Sequence, residues 1–469
     1  MLTVGMVLEP PNLDPTAGAA AAIDEVVYAN VFEGLTRIDH NGKVQPALAK
    51  SWTISANGLT YQFILQDSVT FHDGSPFTAE DVVFSFNRAK APDSVNAQKE
   101  IFEPIQDMKV IEKNKLVIIL KRPVGDFLSH LGWGDAVIVS SKTVGNNKTN
   151  PIGTGPFIFK DWVRGDHITL AKYENYWGKK PFLQTIVFKF IAEPAAAVSS
   201  LLAGDVDVFP NFPAPESLSV FQKDSNFKVV IGNTEGETIL ALNNAQKPFQ
   251  DLKVRQALNM AINRQAIIEG SMSGYGIPIG SHFSPIHSAY VDLSNYYPYD
   301  IERAKELLKQ AGYPNGFDVT LKLPPPSYAR RSGEIIAAQL KALGIKVKII
   351  PMEWAQWLEQ VFKNKDYEMT IVSHTEPMDI NIYARDNYYF NYPNSKFKDL
   401  YKKFSLTMNN DQQTKILREL QTLLAKDAVN VFLFQLPKLG VWKSGIIGLW
   451  DNSPIQANDL TGVMWQTNK

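Results

Sequence analysis

Apolar residues recur along this chain with two periods, every second residue and every third or fourth, and segments of the two kinds alternate. Leu59, Tyr61, Phe63 and Leu65 stand at every second position, which predicts a half-buried strand. His72-Asp73-Gly74-Ser75-Pro76 then turns the chain. Thr78 follows as a helix N-cap, with Glu80 and Asp81 in the first turn and Val82, Val83 and Phe86 on the apolar face. Leu2, Val4, Met6 and Val7 predict a first strand that ends at the proline-stiffened loop Pro10 to Pro15. Gly18 to Leu35 has helical spacing, Lys115 to Leu120 and Ala136 to Val139 read as strands, and Val187 to Ile191 is a further strand. Pro194 opens a helix that Gly204 closes.

Beyond Thr238 the same alternation begins afresh. Strands are predicted at Thr238 to Asn243, Val319 to Leu323, Val347 to Ile350, Met369 to Ser373 and Val431 to Leu436. Helices are predicted at Val254 to Ile262, Asp300 to Leu308 and Ser327 to Leu343, the last with Ser327 as its N-cap. Strands alternating with helices over two long stretches predict an α/β protein with more than one core. Its 469 residues agree, because one core rarely serves more than roughly 250 to 300.

Composition narrows the function. A net charge of -1 argues against a nucleic-acid partner, since phosphate binding leaves a basic footprint. The absence of cysteine excludes disulfides, thiolate metal sites, a cysteine nucleophile and an N-terminal lipid-bearing Cys in this chain. No uninterrupted apolar run approaches the ~18 residues of a membrane span. Met1 leads directly into a strand, so the protein either stays in the cytosol or has lost an export signal. No G-x-S-x-G, H-E-x-x-H or Walker loop is present, which weakens the reading as a soluble hydrolase.

The string FHDGSPFTAEDVVFSFNR (71–88) resembles the block that marks family 5 extracellular solute-binding proteins, the peptide-, opine- and nickel-type receptors of ABC importers. PIGTGPF (151–157) with the NYWG ending of 161–178, VRQALNMAI (254–262) and the AGYPNGF ending of 299–317 resemble that family in the same order. The resemblance implies a two-lobed periplasmic-binding-protein-like α/β fold with an extra subdomain inserted in the first lobe (cluster C type). Residues 1–34, 150–238 and 436–469 would form lobe I, 35–149 the inserted subdomain, and 239–435 lobe II. Two crossings, near Thr238 and Gln435, would act as a hinge. It further implies a monomeric, periplasmic receptor that captures a short peptide, opine or amino-acid conjugate and delivers it to a membrane permease. No catalysis, cofactor or metal is implied. A nickel-type metal or metal-chelate receptor is the alternative within the family.

Candidate site residues follow from position and chemistry. Ligands of α/β sheets gather beyond the carboxyl ends of strands. After the strand ending near Ser373 stands His374-Thr375-Glu376-Pro377-Met378-Asp379, where the family usually has Trp and a DP pair. Arg330 and Arg331 sit in the opening turns of a helix, against its dipole, so they are either exposed or meant for a ligand carboxylate. The resemblance implies an Arg for the ligand carboxylate and an acidic residue, Glu376 or Asp379, for its amino group. Asn12, beside the family's LDP turn, joins the candidates. Trp133, between two glycines, either faces a cleft or packs in the core. Tyr383, in the aromatic run 381–392, offers either a stacking surface or packing. His282 and His287 keep no ligand spacing and read as surface residues.

Overall fold

The computed structural model describes residues 1–407 and 409–466; residues 408 and 467–469, which fall in the segments 239–435 and 436–469, lie outside the described residues. The chain forms two compact units. The first holds Met1–Gly232, a short segment at 405–407 and the C-terminal segment from Lys438, and the second holds Asn233–Phe404 and Asn409–Pro437. Apart from that short segment, the chain passes between them at 232/233 and 437/438, a few residues outside the crossings set by sequence at Thr238 and Gln435.

Leu2–Met6 lies inside a seven-stranded sheet, parallel to Thr185–Phe190 on one side and Val208–Phe209 on the other. Its side chains are almost wholly buried. Gly5 is needed there because a Cβ would stand 2.3 Å from the Phe209 ring. The same unit carries a four-stranded antiparallel sheet ordered Ala49–Ile54, Thr60–Leu65, Lys115–Leu120, Ile105–Glu112. Tyr61, Phe63 and Leu65 all face inward, as do Leu116, Ile118 and Leu120 on the adjoining strand. The helix Ala79–Lys90 starts with a capping box, Asp81 Oδ2 accepting from the Thr78 amide at 2.8 Å.

Two expectations fail here. Ala136 to Val139 is buried but is no strand: Ile138 and Val139 donate singly, to the Glu33 carbonyl and to Ser85 Oγ. The helix expected over Gly18 to Leu35 is only Ala21–Val27, and Ala29 takes a positive φ of 58° soon after. The chain turns there because Asn30 and Val31 must meet the 153–157 segment. The Val31 carbonyl accepts from Gly155 and the Asn30 carbonyl from Phe157, both at 2.9 Å. A Cβ on Gly153 would approach Val31 O to 2.0 Å, which accounts for that glycine.

Glu33 joins two sequence blocks lying far apart in the chain. Its carboxylate accepts from Thr154 Oγ1 at 2.8 Å, Tyr176 OH at 2.7 Å and Trp177 Nε1 at 2.9 Å. It is 8 % exposed. Burial outweighs those three donors and raises its pKa from an ordinary 4.5 to about 7.

In the second unit the six-stranded sheet runs Ile277–Pro278, Val431–Gln435, Glu237–Leu242, Met369–His374, Asp318–Leu323, Lys346–Pro351. Every residue of Glu237–Leu242 is buried. Helix Ser327–Leu340 begins at Ser327 itself with Pro326 in the capping position, so Ser327 is helical and not the cap. Trp354 and Trp357 stack at 5.1 Å, and Trp357 Nε1 donates to Thr370 Oγ1 within the core. Among the described residues, no helix is long and apolar enough to cross a membrane.

Glu33 generates a test of stability against pH. Between pH 4.5 and about 7 the folded form retains a proton that the unfolded chain releases, so stability should fall as pH rises through that window. The contribution is on the order of 3 kcal/mol. In urea unfolding at pH 5 and pH 7.5, Glu33→Gln should show a smaller loss than the wild type. Equal losses would place the titration elsewhere.

Candidate ligand-binding site

Asp318–Leu323 and Met369–His374 are parallel, so the segments that follow them open on one edge of the sheet. The first is the helix with Arg330 and Arg331; the second is the 375–379 loop. The helix is tied to the end of the second strand, where the Ser373 amide donates to Tyr328 OH at 3.0 Å. Glu237 starts its antiparallel strand at this edge, directly opposite His374 on one side and Gln435 on the other.

Asp379 is the centre of the group. Met378 adopts φ 63°, which turns the chain and sends Asp379 inward, where it is 2 % exposed. His282 Nε2 stands 2.6 Å from its Oδ1, and His374 Nδ1 stands 3.8 Å from its Oδ2. Both imidazoles are steadied from behind by buried phenols. Tyr383 OH lies 3.3 Å from His282 Nδ1, and Tyr389 OH lies 2.9 Å from His374 Nε2. Asn430 Nδ2 in turn donates to Tyr383 OH at 3.3 Å. The tautomer that satisfies all these partners has Tyr383 donating to His282 Nδ1 and His282 Nε2 donating to Asp379.

The electrostatics follow from crowding in a dry place. Burial pushes the Asp379 carboxyl up, but His282, through its hydrogen bond, with His374 and Arg385 beside it, holds it below its ordinary value. Glu237 is raised well above the carboxylate range by burial and by the charges of Asp379, Glu235 and Glu376. Glu235 and Glu376 are each raised to about 7 by burial and by Asp379. Burial lowers His374 to about 4.

Of the residues expected from sequence, Asp379, Glu376, His374 and Tyr383 come together here. Asp379 lies beneath, bonded to His282, while Glu376 is partly exposed at the rim. Arg330 is exposed, 3.9 Å from Glu353 Oε1, and Arg331 is half-buried on the neighbouring helix. Asn12 and Trp133 belong to the first unit and are not part of this group. Asn12 Oδ1 accepts from the Asp14 amide at 2.8 Å, holding its own turn. Trp133 is core, packed edge-on against His130 at 4.7 Å. Tyr383, Tyr389 and Phe390 of the aromatic run are buried against one another, so packing is what that run does.

Sequence reasoning missed Glu235, Glu237 and His282. The expectation for His282 is overturned: it is wholly buried, and His287 is half-buried against the Phe283 ring at 4.1 Å. The apolar Ile279 and Phe283 on either side of Ser281-His282 were the signal that could have placed it inward.

Residues 43–396 match the description "Bacterial extracellular solute-binding proteins, family 5 Middle". The chain belongs to that family. Among its family 5 relatives is a glutathione-binding protein of Salmonella typhi, 31 % identical over 357 residues, covering 75 % of this chain and 69 % of the relative. A dipeptide-binding protein of Escherichia coli K12 is 31 % identical over 369 residues, covering 71 % and 68 %. Among solved structures, the periplasmic binding protein DppA of Helicobacter pylori with the peptide STSA superposes with a TM-score of 0.91 at 26 % identity, covering 99 % of this chain and 98 % of the other. The periplasmic binding protein AgaA of A. tumefacien R10 with agropinic acid also gives 0.91 at 26 %, covering 100 % of this chain and 99 % of the other. The α/β, two-lobed fold expected from the family blocks is thus the fold of this chain.

For a family 5 receptor, the buried pair under the rim sets a clear stability test. His282→Ala would leave Asp379 charged and unpaired in the core and should cost about 3 to 5 kcal/mol. Tyr383→Phe removes one neutral hydrogen bond and should cost only about 1 kcal/mol. Urea midpoints of the two variants compare them directly; equal losses would mean that the His282–Asp379 bond does not hold this loop.

Proposed function

We propose that this chain is the solute-binding component of an ABC importer, acts in the periplasm as a monomer beside a membrane permease, and carries a small peptide-like zwitterion. Membership of family 5 supports the receptor role, and relatives named for glutathione and dipeptides support the class of solute. The observation that carries the solute chemistry is the rim of the sheet edge in the second unit. There the partly exposed Glu376, with Glu235 close to the same Asp379 charge, follows one of two parallel strands, and a helix whose opening turns carry Arg330 and Arg331 follows the other. Crowded carboxylates attract an ammonium group, and a guanidinium grips a carboxylate through two parallel hydrogen bonds. A solute with an amino group and a carboxylate meets both. Asp379 acts from behind as a fixed negative charge, because His282 occupies its Oδ1. Binding and release are the whole of the proposed chemistry, in keeping with relatives named for binding.

Calorimetry with dipeptides and glutathione should find a binder whose affinity falls by about 2 to 5 kcal/mol in Arg331→Ala and recovers only in part in Arg331→Lys. Glu376→Gln should cost about 1.5 to 3 kcal/mol for a solute with a free amino group, and almost nothing for its N-acetylated form. A neutral sugar recovered by mass spectrometry from the purified protein would overturn the zwitterion.

A further inference from the structure

Beneath the rim lies a set of buried side chains whose donor atoms a solute at the rim would not touch. Glu237, His282 and Asp379 are 2 %, 0 % and 2 % exposed and come from three separate segments of the second unit. One donor atom from each lies within 4.8 Å of the others, and His374, Glu376 and Asp379 form a second such triplet sharing Asp379. Two imidazoles and three carboxylates in one dry volume are the nitrogen and oxygen donors that borderline divalent ions select. Two further observations point the same way. The Oε2 of Glu237 has no hydrogen-bond partner, although the residue is almost wholly buried within that triplet. Each histidine also has one ring nitrogen against a buried tyrosine hydroxyl and turns the other toward Asp379. That is how metal-binding imidazoles are oriented, with the outer partner fixing tautomer and ring plane.

We propose that Glu237, His282 and Asp379, with His374 as a fourth donor, bind one divalent transition-metal ion such as Ni2+ or Zn2+ inside the second unit. The ion takes the place of the proton between His282 Nε2 and Asp379 Oδ1, and that proton leaves to solvent. The new bonds are dative, and nothing is oxidised or reduced. The two atoms must part from 2.6 Å to roughly 3 Å or slightly more, the spacing of neighbouring donors around a four-coordinate ion. Glu237 supplies a second anionic oxygen and thereby gains the partner its Oε2 lacks. The site stands on residues of this unit alone and does not depend on which solute is carried. Its consequence for the rim is mechanical: an ion on Asp379 would pin the loop that holds Glu376, three residues away.

The test uses the whole chain, stripped with a chelator and dialysed, then titrated calorimetrically with NiCl2 and ZnCl2. About one equivalent per chain should bind, and the ion should raise the thermal unfolding midpoint. Glu237→Gln, which keeps shape and neutral hydrogen bonding, should weaken binding about tenfold or more, as should Asp379→Asn. His40→Ala, at an exposed histidine of the first unit, should change nothing. Cobalt(II) provides a readout independent of folding losses: its visible absorption should show nitrogen and oxygen ligands in the wild type and be lost in Glu237→Gln of unchanged circular dichroism. Equal binding by wild type and Glu237→Gln, or no uptake by the stripped protein, would overturn the site. Dipeptide titration of stripped and loaded samples separates the two proposals. Dipeptide binding without metal uptake defeats this one alone, and metal uptake without any dipeptide binding defeats only the zwitterion reading.

Discussion

A carboxylate that is 2 % exposed stays ionised only where something positive or strongly donating meets it, and at Asp379 that partner is the His282 imidazole at 2.6 Å. Much of the second unit's edge follows from this one bond. The bond ties the loop after Met369–His374 to the loop after Ile277–Pro278. It leaves Asp379 as the charge that adds to burial in raising Glu235, Glu237 and Glu376 together. Tyr383 and Asn430 stand behind the histidine because a buried imidazole needs a partner on each nitrogen. A chain of buried polar groups of this kind is worth having only when it is satisfied along its length, and Glu237 Oε2 is the place where it is not.

The first unit solves a similar problem in another way. Glu33 is also a buried carboxylate, yet it meets three neutral donors and no cation close enough to hydrogen-bond. Burial then prevails and the group keeps a proton near neutrality, whereas Asp379 does not. The contrast separates structural from functional use of the same side chain. Glu33 knits two distant sequence blocks, while Asp379 places negative charge under the partly exposed Glu376.

The edge of the second sheet collects charged groups because parallel strands deliver their following segments to one side. The sheet interior is correspondingly apolar, with Ile239, Leu240, Ala241 and Leu242 fully buried. A rigid apolar sheet with a polar edge is what holds the rim groups in register.

The class of the protein was legible in the chain itself. A period-two pattern marked Thr60–Leu65 and a helical one Ala79–Lys90, while short apolar runs marked Glu237–Leu242 and Met369–His374, because such patterns are local and need no knowledge of the partner. The loop at 374–379 was also legible, since strand ends and proline-stiffened polar turns leave a local trace. Where local pattern and long-range demand disagreed, the pattern misled. Ala136 to Val139 is apolar enough for a strand but finds only single carbonyl and hydroxyl partners, and the helix after Gly18 stops early because Asn30 and Val31 must bond the 153–157 segment. What only the tertiary structure decided was which polar groups are buried together. His282 and Asp379 are 97 positions apart, and Glu237 belongs to a strand that reads as purely structural. A contact between distant segments has no period, and a histidine in a serine-rich loop looks the same whether it faces water or a buried carboxylate. Only folding, by removing water from around Asp379, gives that histidine its role.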